Sequence, residues 1–170
     1  MTTRTPACPA SATPDSRDRA RRTVPGITAA ARVALAVVWC WAGWAKIQDP
    51  AASAQAVRAY RILPETLVAP VGHGIPALEL TLAALLLVGL RIRLAAVLSA
   101  LLLAGFLAGI VQAWARGLSV DCGCFGGGGE IDSADTRYLQ EVLRDVGLLL
   151  LSTWLVRWPA SRFSLDAVLR

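Results

Sequence analysis

Four stretches of this chain are too long and too apolar to be folded into water. A helix needs about 20 apolar residues to cross roughly 30 Å of hydrocarbon. Residues 27–45 are apolar except for Thr28 and Arg32, and close on Lys46. Residues 75–90 are shorter and carry Glu79 near their start. Residues 94–115 are the cleanest, interrupted only by Ser99 and Gln112. Residues 138–158 are apolar from Val146 to Val156 but open with Gln140, Glu141, Arg144 and Asp145. No period-2 pattern of a barrel is visible, so helices are the form in which these stretches can satisfy their backbone in lipid. Composition agrees: 17% of residues are charged, against roughly 25% in an average soluble domain. The expected architecture is all-α, an integral membrane four-helix bundle. A disordered chain, a coiled coil, a secreted disulfide scaffold and an ordinary cytosolic α/β enzyme are excluded.

The net charge of +5 does not point to nucleic acid, because the basic residues sit beside the apolar runs. Four spans would put the N-terminal tail, the turn at Arg91–Arg93 and the C-terminal tail on one side. That side carries Arg4, Arg17, Arg19, Arg21, Arg22, Arg91, Arg93, Arg157, Arg162 and Arg170, against Lys46, Arg58, Arg61, Arg116, Arg137 and Arg144 opposite. The excess of cations favours both termini in the cytoplasm and the loops 46–75 and 116–137 outside. Residues 1–25, rich in Thr, Ser, Pro, Ala and Arg, read as a disordered cytoplasmic tail. Residues 26–158 form the membrane domain, and 159–170 a second cytoplasmic tail. Arg21-Arg22 resembles a twin-arginine export signal. The following run is long for one, holds three tryptophans and precedes three further spans, so that reading is set aside.

Within loop 46–75, Asp49-Pro50 is a helix start: Asp can cap free N–H groups and Pro suits the first helical position. A short interfacial helix over 51–63 is expected, stopped by Pro64 and lying along the outer membrane surface. Gly72-His73-Gly74 is expected to break the chain before Pro76 opens the second span.

Of four cysteines, Cys8 falls in the tail and Cys40 reads as a small core residue. Cys122 and Cys124 occur in Asp121-Cys122-Gly123-Cys124-Phe125-Gly126, followed by three further glycines. By the charge count this loop lies on the oxidising side, where a disulfide persists. A Cys-x-Cys bridge is a tight ring; strained, exposed disulfides tend to be labile or catalytic. Gly123 supplies the backbone freedom. The glycine run offers N–H groups to a thiolate, with Arg116 or Arg137 as candidate cations. Two bland readings stay open: a structural staple, and a metal site, which would need ligands beyond the single histidine, His73. An iron–sulfur site lacks enough ligands.

Ionisable residues inside spans are costly and face the bundle interior. Arg137, Glu141, Arg144 and Asp145 fall on one helical stripe. Lys46 and Glu79 lie at the same outer level. Lys46 or Arg144 is expected to pair with Glu79, and Asp145 with the other cation, as a cluster that locks the helices, tunes the thiols, or both. Gly105 and Gly109 form a GxxxG pattern expected to serve close helix packing.

Several of these residues together resemble a known family. Ala42-Gly43-x-x-Lys46-x-x-Asp49-Pro50, Ala59-Tyr60-Arg61-x-Leu63-Pro64, Pro76-x-Leu78-Glu79-Leu80, the Asp-Cys-Gly-Cys-Phe-Gly run and Arg144-Asp145 are similar to the MauE family, itself similar to the broader DoxX group of four-helix membrane proteins. The resemblance covers about residues 27–157, with the Cys-Gly-Cys motif its most specific mark. It implies a membrane protein associated with methylamine utilisation. Such proteins assist maturation of the disulfide-rich small subunit of methylamine dehydrogenase; relatives outside that pathway are redox-associated and paired with thioredoxin-like partners. Cys8, Cys40 and the arginine-rich tail fall outside the pattern.

The leading expectation is therefore a redox accessory protein of the bilayer. In it Cys122 and Cys124 exchange electrons with a thioredoxin-like or disulfide-rich extracytoplasmic protein, and Lys46, Glu79, Arg144 and Asp145 hold and tune the pair. The sequence fixes no metal and no cofactor. A quinone is carried only by analogy with other four-helix thiol oxidases. The competing expectations are a non-enzymatic assembly or export factor with a structural Cys-x-Cys staple, and a small-molecule transporter.

Overall fold

A computed structural model describes residues 16–124, 127–132 and 136–159, with side chains from residue 26 onward. Cys8, Phe125-Gly126 and the C-terminal segment 160–170 lie outside the described residues. Helix α1 runs Ser16–Gln48, α2 Pro50–Ala59, α3 Glu65–Val88 and α4 Ile92–Ala115; a two-stranded hairpin of β1 (Val120–Asp121) and β2 (Gly129–Glu130) follows, and α5 (Tyr138–Arg157) ends the described chain. The four long helices close a ring, α1 against α3, α3 against α4, α4 against α5 and α5 back against α1. The chain is an all-α bundle, as its hydropathy pattern implied. Helix α1 begins at Ser16, so the last ten residues of the segment read as a tail are helical.

The helices start and stop for local reasons. Asp49 caps α2 by accepting from Ala52 N at 2.9 Å, and Pro50 occupies the first turn. The helix expected to reach Leu63 ends at Ala59. Helix α3 corrects a second expectation. It runs unbroken through Pro70, Gly72-His73-Gly74 and Pro76, so His73 is an exposed helix residue and Glu79 lies mid-helix rather than one turn in. Proline and glycine are tolerated in such helices because neighbouring elements take up the freed backbone groups. Here Gly72 has a second use, since a Cβ at that position would come within 2.9 Å of Ala54 Cα on α2. The α3–α4 turn closes through Gly89 in the left-handed region, with Gly89 N and Leu90 N both donating to Leu85 O.

Small residues set the bundle spacing. Ala31, Ala36, Ala42, Ala83, Ala95 and Ala96 are buried with Leu35, Leu82, Leu86, Leu103 and Leu155, and a Cβ on Gly43 would meet Leu80 Cγ at 2.8 Å. Close backbone approach of this kind replaces the hydrophobic driving force that lipid cannot supply. Trp39 Nε1 donates to Ser99 Oγ at 3.0 Å in the same core, tying α1 to α4. The GxxxG reading does not hold: a Cβ on Gly105 meets nothing within 4 Å, and Gly109 faces the Tyr60 ring rather than a bundle helix.

Three helices, α1 from Gly26, α3 and α4, are long and apolar enough to cross a membrane. Helix α5 is not, by composition, but its asymmetry is informative. Leu139, Leu143 and Leu150 are each more than 60% exposed, whereas Asp145 is buried and Glu141 and Arg144 are half-buried. Its apolar face points out and its charges point in, the arrangement expected of a helix surrounded by lipid. Trp44 and Trp114 stand exposed near one end of the bundle and Trp158 at the other, where amphipathic rings favour the headgroup level. Cys40 is exposed on α1 rather than in the core.

Candidate functional site

Helix α2 and the β1–β2 hairpin fold over one end of the bundle. Ser53, Ala56 and Ala59 recur at a three-residue spacing on the buried side of α2, leaving Gln55 and Arg58 outside. That row of small side chains lets the hairpin press onto the helix. Gly123 (φ +65°) and Gly128 (φ +100°) lie so close to Ala56 that a Cβ on either would sit 2.8 or 2.5 Å from Ala56 Cβ. Both also adopt a left-handed backbone that glycine alone enters freely. Val120 pairs with Glu130 and Asp121 with Gly129. Arg61 closes the outside with an ion pair to Glu130 at 2.5 Å, and Arg58 pairs with Glu65.

Cys122 and Cys124 form a disulfide, their Cα atoms 5.4 Å apart. Each is 8% exposed, and they join Ala59, Ile110, Ala113, Val120 and Tyr138 in a second core cluster at this end. The pair is thus part of the packing, not the exposed turn expected. Tyr138 fastens the strand before it, accepting from Val120 N at 3.0 Å and donating to Leu118 O. Tyr60 OH donates to Cys122 O at 3.4 Å. Burial, with Glu141, Tyr138, Asp121 and Asp145 nearby, pushes its phenol well above the ordinary tyrosine range, so it remains a donor.

The charges meet beneath this lid. Lys46 Nζ lies 2.6 Å from Glu79 Oε1 and donates to Cys124 O at 2.7 Å, with Lys46 7% and Glu79 0% exposed. Lys46 therefore joins α1, α3 and the cysteine loop at one atom, and sits 5.7 Å from the centroid of the Phe106 ring on α4. On the other side, Arg144 Nε binds Asp145 Oδ1 at 3.1 Å, and its terminal nitrogen reaches Cys122 Sγ at 3.5 Å. Cys122 N donates to Glu141 Oε1 at 3.5 Å. Two cations thus face three carboxylates, and one oxygen of each carboxylate (Glu79 Oε2, Glu141 Oε2, Asp145 Oδ2) has no hydrogen-bond partner among the described residues.

All six residues singled out from the sequence, Lys46, Glu79, Cys122, Cys124, Arg144 and Asp145, come together at this end of the bundle. Other expectations change. Arg137 is exposed and leaves the stripe. Arg116 donates to the backbone of Tyr60 and Arg61 instead of serving the cysteines. Arg144 is the cation at the sulfur. Sequence reasoning missed Glu141 as a partner of the cysteine loop, Tyr138 as its fastening and Ala56 as its seat. Only the small-residue spacing of α2 carried a legible signal for the last.

Chemically the two sulfurs are unequal. A guanidinium stands at Cys122 Sγ, whereas the Lys46 ammonium addresses the Cys124 carbonyl. Cations stabilise a thiolate relative to a thiol, so when the bridge opens Cys122 is the better leaving group and Cys124 the better site of attack. A cavity of 330 Å³ adjoins the pair between α2, α3 and α4, with Cys122, Cys124 and Lys46 in its otherwise largely apolar wall.

Comparison with known proteins gives one result. Residues 24–157 match the family model of the methylamine utilisation protein MauE. No curated protein and no solved structure matches the chain.

Proposed function

The chain belongs to the MauE family, which makes it a multi-pass membrane accessory protein associated with methylamine utilisation, and from that premise we propose that Cys122–Cys124 is a thiol–disulfide exchange pair. The pair faces the extracytoplasmic side, with both termini in the cytoplasm, and serves disulfide formation in an extracytoplasmic client. In the family that client is the small subunit of methylamine dehydrogenase; the immediate partner is that subunit or a thioredoxin-like protein. The observation that carries the reading is the guanidinium of Arg144 at 3.5 Å from Cys122 Sγ.

A partner thiolate attacks Cys124 Sγ; the Cys122–Cys124 bond breaks, and the electron pair leaves on Cys122, opposite Arg144. The partner's second thiolate then attacks its own sulfur in the mixed disulfide. The partner's disulfide forms, Cys124 leaves as thiolate, and the pair ends reduced by two electrons. Each sulfur is 8% exposed, so a protein partner engages the pair only as the hairpin lifts from α2.

Burial of both sulfurs in a core cluster favours a second reading, a structural staple in a non-enzymatic assembly factor. One experiment separates the two. With Cys122 removed, Cys124 has no internal sulfur to resolve it, so Cys122→Ser is expected to accumulate a mixed disulfide with a partner in cells, and Cys124→Ser far less. Membrane-impermeant alkylating reagent applied to intact cells is expected to label the reduced pair. Capture by neither variant, or labelling only after lysis, defeats the exchange reading or its sidedness respectively.

A further inference from the structure

The cavity beside the disulfide extends along α4 far from the lid. Its α4 wall includes Leu101, Gly105 and Phe106, and its α3 wall Val71 and Ile75. Leu101 stands in the middle of α4 and is 64% exposed; Gly105 is exposed as well. The cavity is therefore open on the mid-helix surface of α4 that faces hydrocarbon, and also beside the exposed Ile62 and Leu63 that follow α2. Gly105 adds no side chain to this space, and a Cβ there would meet nothing within 4 Å. At the inner end the walls change character, to the two sulfurs and the Lys46 ammonium. An exchange pair that oxidises a client must be reoxidised after each turnover, and a route from the lipid phase leads to it.

We propose that this cavity is the binding site of a lipid-borne quinone that reoxidises Cys122 and Cys124. The inference rests on the exchange reading above and adds the oxidant. Quinones are apolar enough to enter from hydrocarbon, and a volume of 330 Å³ lies at the lower end of ligand pockets, suited to one substituted ring. Lys46 is the charged donor in the wall that can meet a ring carbonyl. The step balances: two S–H bonds are lost and one S–S bond forms. The two electrons and two protons pass to the quinone oxygens, and quinol leaves by the same mouth.

The test uses the full chain in lipid nanodiscs, reduced with a soluble dithiol and desalted. The probe is a ubiquinone with one isoprenoid unit, whose fully substituted ring resists irreversible addition of thiols. Quinol is read by absorbance and the cysteines by alkylation and mass. One quinol per disulfide formed is expected, well above the rate without protein. Gly105→Leu fills the void while removing a residue that disfavours helix. It is expected to slow oxidation by quinone at least tenfold and to leave exchange with the soluble dithiol unchanged. If the pair exchanges with dithiol but ignores quinone, or if Gly105→Leu is oxidised as fast as the parent, the quinone site is wrong and the exchange reading stands. If the folded protein resists reduction by dithiol altogether, the exchange reading fails, and this proposal with it.

Discussion

Replacing Lys46 by methionine removes one ammonium that satisfies two buried acceptors. Glu79 Oε1, 2.6 Å away, loses its ion-pair partner, and Glu79 Oε2 has none among the described residues. Stripping one partner from a buried pair costs about 3–5 kcal/mol. The Cys124 carbonyl, 2.7 Å from the same nitrogen, also loses its donor, at about 1–3 kcal/mol. The two losses share an atom and are not additive, so Lys46→Met is expected to destabilise by about 4–6 kcal/mol. Adding Glu79→Leu removes the stranded carboxylate and leaves only the carbonyl unmet. The double variant is then expected to fall about 1–3 kcal/mol short of the parent, more stable than the single one. Methionine suits the comparison because its thioether packs well against an aromatic ring, here Phe106. Reversible unfolding in mixed micelles, followed by tryptophan fluorescence, measures all three proteins. A loss under about 1 kcal/mol in Lys46→Met, against that expected for a buried pair, refutes the claim that this pair is desolvated. A double variant weaker than the single one refutes the claim that the penalty lies in the unpaired charge.

Arg144→Gln removes the cation at Cys122 Sγ, and alkylation of Cys122 in the reduced protein at neutral pH is expected to slow about tenfold, the effect of roughly 1.4 kcal/mol on the thiolate. Gly128→Ala places a Cβ 2.5 Å from Ala56 Cβ at φ +100°; the hairpin is expected to lift, at about 1–3 kcal/mol, and reduction of the disulfide by an impermeant phosphine to accelerate several-fold. Gly129→Ala, at φ +124° with nothing within 4 Å, carries the backbone strain without the collision and is expected to accelerate reduction less. Ser99→Ala leaves Trp39 Nε1 without its acceptor; stability is expected to drop about 1–2 kcal/mol with dithiol exchange unchanged, which a parallel unfolding and exchange assay checks.

The lid was the part of the fold least visible in the chain. Gly72-His73-Gly74 with its flanking prolines reads as a break, since local propensity counts only what each residue does to its own helix. In the folded protein Gly72 is a contact surface for Ala54, and a long-range approach outweighs a local preference. Gly105 and Gly109 show the reverse. Their spacing is a packing motif, yet among the described residues no bundle helix uses it, because which helix faces α4 at that depth is decided by the whole bundle. From the sequence Arg116 and Arg137 were the candidate cations at the sulfurs, and Arg144 belonged to the buried charge cluster. Only the direction of α5 turned Arg144 inward and left Arg137 exposed.

The sequence alone determined that this chain lives in lipid, that its backbone is helical there, and that Lys46, Glu79, Arg144, Asp145 and the two cysteines are the residues to account for. Each of these follows from transfer cost: apolar length demands a bilayer, and charge at membrane depth demands a partner. Tertiary structure alone decided which partners, because partner choice depends on distance between residues 33 to 78 positions apart in the chain, as Lys46 to Glu79 and to Cys124. It also decided that the disulfide is buried against α2 rather than displayed, and that a space was left beside it. Both result from small side chains on separate elements meeting, or failing to meet, in three dimensions.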